Sequence, residues 1–150
     1  MKPVVRDLIV VLFSVLLSMF LNIGVDDFFM GTIYTVSGIM FSIGISILVT
    51  FNLHGIKKQS LIDRIRKSLN KARNIFIYYF SVSTVLFVLE RYLRESKIHE
   101  VLVYKNNDFS IIINVSFAIA FLIFYCIFYF ILNFLEVQKL NDEIFDDTMV

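Results

Sequence analysis

The 150-residue chain is 58% hydrophobic and 16% aromatic, with 14 Lys and Arg against 13 Asp and Glu and a single cysteine. Its charged share of 18% falls below the roughly 25% of a soluble globular domain. One cysteine excludes an internal disulfide and a cysteine-rich metal site. Cys126 lies deep in an apolar run and reads as an inert packing thiol.

Four uncharged runs organise the rest: Leu8–Val25, Phe28–Leu53, Asn74–Leu89 and Phe109–Leu135. A helix needs about 20 apolar residues, with a range of about 17–25, to cross the bilayer core. Three runs reach that length. The third has 16 residues, but Arg73 and Arg91 flank it, and long cationic side chains at helix ends reach the interfaces. The sequence therefore predicts an all-α integral membrane protein, with four transmembrane helices in one domain over residues 1–150.

The first run follows Lys2 and Arg6. It ends in Asn22-Ile-Gly-Val-Asp-Asp, which offers no small-x-small cleavage site, so an uncleaved signal anchor is expected. Ser14, Ser18 and Asn22 fall four residues apart on it. The second run holds two glycines, three serines and two threonines between Tyr34 and Asn52. Gly38, Ser42 and Ser46 share one helical face, and Thr35 and Asn52 sit near its ends, roughly in line. Such spacing lets helix backbones approach closely in lipid. It equally suits the polar lining of a pore built by several subunits, with Phe41, Ile45 and Leu48 as the constriction. Both readings stand at this level.

The segment His54–Arg73 carries Lys57, Lys58, Arg64, Arg66, Lys67, Lys71 and Arg73 against Asp63 alone, half of all the basic residues. Ser60-Leu-Ile-Asp63 has the form of a capping box. Ile62, Ile65, Leu69, Ala72 and Phe76 then recur at three- and four-residue intervals with no Pro or Gly between them. One helix should therefore run from the basic segment into the third apolar run. The connection Glu90–Asp108 mixes four basic residues with four acids. Asn114, Ser116 and Asn133 are polar positions of the fourth run, and the two amides each need a partner in hydrocarbon. Past that run, Asn133, Val137, Leu140 and Ile144 continue a helical stripe into a tail with Glu136, Asp142, Glu143, Asp146 and Asp147 against Lys139. The stripes on these two extensions predict either burial within one chain or a bundle between subunits.

An excess of Lys and Arg stays cytoplasmic during insertion, which puts the basic segment, the acidic tail and both termini on the cytoplasmic side of the membrane. Three roles are open to the basic surface. It meets anionic lipid headgroups, pairs with the acidic tail, or captures a cytosolic protein or anionic ligand. No aromatic residue lies between Lys57 and Arg73 to stack bases. Pairing of the two extensions would hold a closed state that a charged partner releases.

The four runs contain no Asp, Glu, Lys, Arg or His, which argues against proton- or cation-coupled transport. It also separates the chain from the small four-helix multidrug exporters that it resembles in size, since those depend on a membrane-embedded glutamate. His54 and His99 fall on opposite sides of the membrane, and the tail acids lack the spacing of a calcium loop. No enzyme activity, cofactor or metal site is expected. With its Phe- and Ile-rich spans and segments such as FSIGISILVTFN and NFLEVQKLNDEI, the chain resembles the small four-helix membrane proteins of bacterial anti-phage (abortive-infection) systems. That resemblance implies a membrane subunit that opens a pore or tethers a cytosolic effector. The expected function is a homo-oligomer, a tetramer, acting as a channel or disrupting the membrane. The alternative is a non-conducting anchor or sensor that recruits a cytosolic partner through the basic loop and acidic tail.

Overall fold

The structure, a computed structural model, describes residues 3–21, 23–50, 59–96, 100–106 and 109–148. Four helices dominate it: α1 (Pro3–Leu21), α2 (Asp27–Thr50), α3 (Gln59–Glu95) and α4 (Val115–Thr148). A hairpin of β1 (Glu100–Asn106) and β2 (Phe109–Asn114) precedes α4. Three helices are long and apolar enough to cross a membrane, over Asp27–Thr50, Ile62–Glu95 and Val115–Lys139.

The all-α expectation is amended by that hairpin. The strands pair antiparallel from Glu100 opposite Asn114 to Asn106 opposite Phe109, with an irregularity between Leu102 and Tyr104. The fourth apolar run is thus divided: residues 109–114 are strand, and the helix begins at Val115. Three consecutive isoleucines, Ile111 to Ile113, are β-branched and favour the extended state. Inside a long apolar run, periodicity alone does not separate them from helix.

Helix starts follow local chemistry. Pro3 opens α1, where its missing N–H is no loss. Asp26 caps α2: its Oδ1 accepts the Phe29 N–H at 2.7 Å. Asn114 caps α4 in the same way, accepting the Phe117 N–H at 3.0 Å while itself buried. The partner that this amide needs is therefore a helix end. Asn133 donates to the Tyr129 carbonyl one turn back, at 2.7 Å. Helix α3 already includes Gln59, so Ser60 lies within its first turn and not at the cap, and Gln59 donates to Asp63 at 3.4 Å. As the spacing predicts, α3 runs unbroken from the basic segment through the third apolar run.

Helix α4 is the hub, packed against α1, α2 and α3, while α2 also packs on α3. Near one end, Met30 and Ile33 of α2 meet Ile119, Ala120, Ile123 and Ile127 of α4. Further along, Phe76 and Tyr79 of α3 meet Cys126 and Phe130 of α4. The apolar stripe of α3 is buried within the chain: Ile65, Ala72 and Phe76 are covered, as are Asn133 and Val137 on α4. Leu140, Ile144 and the tail acids Asp142, Glu143, Asp146 and Asp147 follow the backbone of α4, and their side chains lie outside the described residues.

Two seams use small residues. On α1, Ser14 and Ser18 are fully buried, and this helix packs on α4 and β2. On α2, the buried small residues are Ser37 and Gly44. Ser37 and Ser83 share a hydrogen bond of 3.1 Å across the α2–α3 seam. A methyl group at Gly44 would stand 3.0 Å from the Phe76 ring, so the close approach of α2 to α3 depends on glycine there.

Candidate functional site

Antiparallel helices bring the charged residues together at two levels. At one, Asp27 begins α2 and pairs with Arg91 at 2.8 Å and Arg94 at 3.1 Å near the end of α3. Arg94 Nε donates to Glu90 at 2.7 Å, a second Arg94 nitrogen donates to the Val25 carbonyl at 2.9 Å, and Ser116 donates to Glu90 at 3.0 Å. Glu90 is only 1% exposed. This knot ties α2, α3 and α4 together at the end that carries the hairpin. Asp27 at the start of α2 and the two arginines near the end of α3 thus neutralise one another in part.

The second level is set by Arg6 and Asp7. Arg6 donates to the hydroxyls of Tyr129 on α4 and Tyr79 on α3, both at 2.6 Å. Its guanidinium also lies over the Tyr129 ring, 4.4 Å from the centroid. Oδ1 of Asp7 accepts from Arg6 at 3.2 Å, Tyr125 at 3.2 Å and Tyr79 at 3.4 Å. Both charged side chains remain partly accessible in the single chain, at 34% and 27%. Each donor has a reason to be here: a charge leaving water needs partners, and tyrosine offers an apolar body with a polar tip.

No Asp, Glu, Lys, Arg or His falls inside the four apolar runs, but the folded chain does bring one charged pair alongside them. Tyr79 and Phe76 lie one turn apart on α3, and Phe76 packs on Gly44 of α2. Gly44 lies roughly 25 Å along α2 from Asp27 at the helical rise of about 1.5 Å per residue. Arg6 and Asp7, bonded to Tyr79, are therefore level with the apolar body of α2, well before its end at Thr50. The reason is the antiparallel offset of α1 against α4, seen where Phe13 packs on Phe121 at 5.8 Å.

From this cluster a cavity of about 800 Å³ extends toward the basic part of α3. Arg6, Asp7, Tyr79 and Tyr129 border it on one side, and Lys67, Asn70, Lys71 and Asn74 on the other. The last four are exposed, so the cavity opens at the surface. A smaller space of about 150 Å³ lies between Lys71 of α3 and Glu136 of α4. Among the described residues no ion pair joins the two extensions.

The polar face of the second run is divided. Thr35, Ser42 and Ser46 are exposed on the single chain, and Gly38 is half-buried, 3.9 Å from the Phe80 ring by an added Cβ. Thr35 and Ser42 bond to their own backbone, at Gly31 and Gly38. The seam inside the chain is instead the neighbouring face of Ser37 and Gly44. Arg64, Arg66, Lys67, Lys71 and Arg73 are exposed along α3. Asn52, His54, Lys57, Lys58 and His99 lie outside the described residues. Among the described residues no three His, Cys, Asp or Glu side chains converge to hold a metal ion.

Sequence reasoning missed the Arg6–Asp7–tyrosine cluster, Glu90 and Gly44. One signal was present: Tyr125 and Tyr129 stand one turn apart in the fourth run, while Arg6-Asp7 opens the first. In comparisons with known protein families, characterised proteins and solved structures, nothing matches this chain.

Proposed function

We propose that the chain is a bacterial inner-membrane protein with four spans and both termini cytoplasmic, and that its copies associate through α2 into a channel-like or membrane-disrupting assembly. The observation that carries this reading is the outward face of α2. Thr35, Ser42 and Ser46 are exposed along it, although hydroxyls give no advantage against lipid tails, and the intrachain seam is already made by Ser37 and Gly44. Small residues facing outward allow a second helix to approach closely, and hydroxyl rings then border the axis of the assembly. The resemblance to anti-phage membrane proteins fits such an effector.

The test pairs two substitutions on one helix. Ser46→Leu is expected to abolish the oligomer seen by crosslinking and the conductance of reconstituted protein, with the folded protomer retained. Gly44→Leu is expected to weaken the protomer itself by about 1–3 kcal/mol, the usual cost of overpacking, seen as a lower unfolding temperature in detergent. An oligomer and conductance untouched by Ser46→Leu would leave the outward hydroxyls as bystanders. The second reading, an anchor that recruits a cytosolic partner, is favoured by the exposed cations Arg64, Arg66, Lys67, Lys71 and Arg73 on α3. It predicts no conductance at all.

A further inference from the structure

We infer that the cavity beneath the Arg6–Asp7 cluster binds the phosphate-bearing headgroup of an anionic phospholipid from the cytoplasmic leaflet. The inference rests on the membrane placement proposed above, but not on self-association or conduction.

Charge identifies the chemistry. Three cations from two helices, Arg6, Lys67 and Lys71, line the cavity against one carboxylate, Asp7. Oδ1 of that carboxylate accepts from Arg6, Tyr79 and Tyr125, which offsets part of its charge and leaves the cations in excess around the cavity. Lys67 and Lys71 stand one turn apart on the same face of α3. With the amides of Asn70 and Asn74 beside them, they can donate to several oxygens of one phosphate at once.

Position identifies the source. Ser37 bonds to Ser83, Phe41 stacks on Phe80 and Gly44 meets Phe76, a register that brings Thr50 level with Asn70. If the charged knot at Asp27 and Arg91 marks one membrane face, about 30 Å of hydrocarbon ends near the last turn of α2. The cavity lies across that boundary. Its lining is graded in the same sense: Lys67 and Lys71 stand toward the cytosolic end, and Ile75 and Tyr78 toward the membrane. Tyr78 is 54% exposed, an amphipathic ring of the kind that sits at headgroup level. A headgroup with its glycerol and acyl chains has this polarity, whereas a free nucleotide or inorganic phosphate has no use for the apolar end. Basic pockets between helices on the cytoplasmic side are suited to anionic headgroups.

The experiment is native mass spectrometry of the full chain released from nanodiscs. These contain phosphatidylglycerol with phosphatidylethanolamine, and the measurement is repeated with ATP and inorganic phosphate added. Vesicle flotation of the same samples shows separately whether the chain is membrane-inserted. Wild-type protein is expected to retain phosphatidylglycerol over phosphatidylethanolamine. The double variant Lys67→Gln/Lys71→Gln should lose about thirtyfold in that preference, the effect of two cations near a charged headgroup. A charge-matched control, Arg64→Gln/Lys139→Gln, removes two cations outside the cavity and should retain the lipid. Equal loss in both variants would mean general surface attraction and overturn the site. Displacement of the lipid by ATP or phosphate at equal concentration would assign the cavity to a soluble anion. A protein that floats yet shows no headgroup preference would overturn this inference alone, while failure to float would overturn the membrane reading beneath it.

Discussion

The two charged levels of the bundle are built from the same residue types and do different things. At the hairpin end, Asp27, Glu90, Arg91, Arg94 and Ser116 pair across three helices. Glu90 is almost wholly buried, with Oε1 bonded to Arg94 and Ser116 and Oε2 left without a partner among the described residues. At the other level, Arg6 and Asp7 are held by three tyrosines, yet both stay partly accessible and border a cavity of about 800 Å³. A knot of mutual ion pairs fastens helices, although Asp27 and Arg91 are no less open to solvent than Arg6 and Asp7. The difference lies in the space beside the charges: next to Arg6 and Asp7 the helices part, and Lys67 and Lys71 border the same cavity.

Substitutions can break that contrast. The largest effect is expected from Glu90→Ala, which leaves Arg94 without its buried partner. Such losses cost about 3–5 kcal/mol, and the low end applies here because Arg94 also reaches Asp27. Thermal unfolding in detergent should register it, and an unchanged midpoint would mean that the knot holds nothing. Next, Arg6→Gln removes charge-assisted bonds to two tyrosines and to Asp7, each partly solvated, with an expected cost of about 2 kcal/mol. The variant should also lose headgroup preference. If it lost stability and kept its lipid preference, the second level would be another knot and the contrast would fail. The smallest effect belongs to Asp27→Asn. Its carboxylate is 60% exposed, and exposed pairs contribute about 1 kcal/mol or less, so only a slight shift that shrinks further in high salt is expected.

Much of this architecture was legible in the amino acids. The second run became α2, the basic segment and third run became the single helix α3, and the stripe of Ile65, Ala72 and Phe76 turned inward. These features follow from composition and a period of 3.6, which one chain carries without reference to any other segment. The hairpin was hidden because Ile111–Ile113 form part of an uninterrupted apolar run, where strand and helix share one signature. A turn signal at Asn106-Asn107-Asp108 is present, but it falls at the end of the connection Glu90–Asp108, where a loop between spans accounts for it equally well.

What tertiary structure alone decided is which face of each helix points where and which residues share a level. Ser37 and Gly38 are neighbours in sequence, yet an α-helix turns them about 100° apart, so the seam falls on Ser37 and Gly44 while Ser42 and Ser46 face out. The sequence supplies two small-residue faces on that helix, and only the packing of Ser83 and Phe76 on α3 against Ser37 and Gly44 selects between them. Arg6 and Asp7 precede the first apolar run, and their company with Tyr79, Tyr125 and Tyr129 depends on the axial offset of α1 against α4. Hydrophobicity is a property of each segment and survives in any arrangement. A site made by residues more than 70 positions apart exists only once the packing of three helices has set their heights.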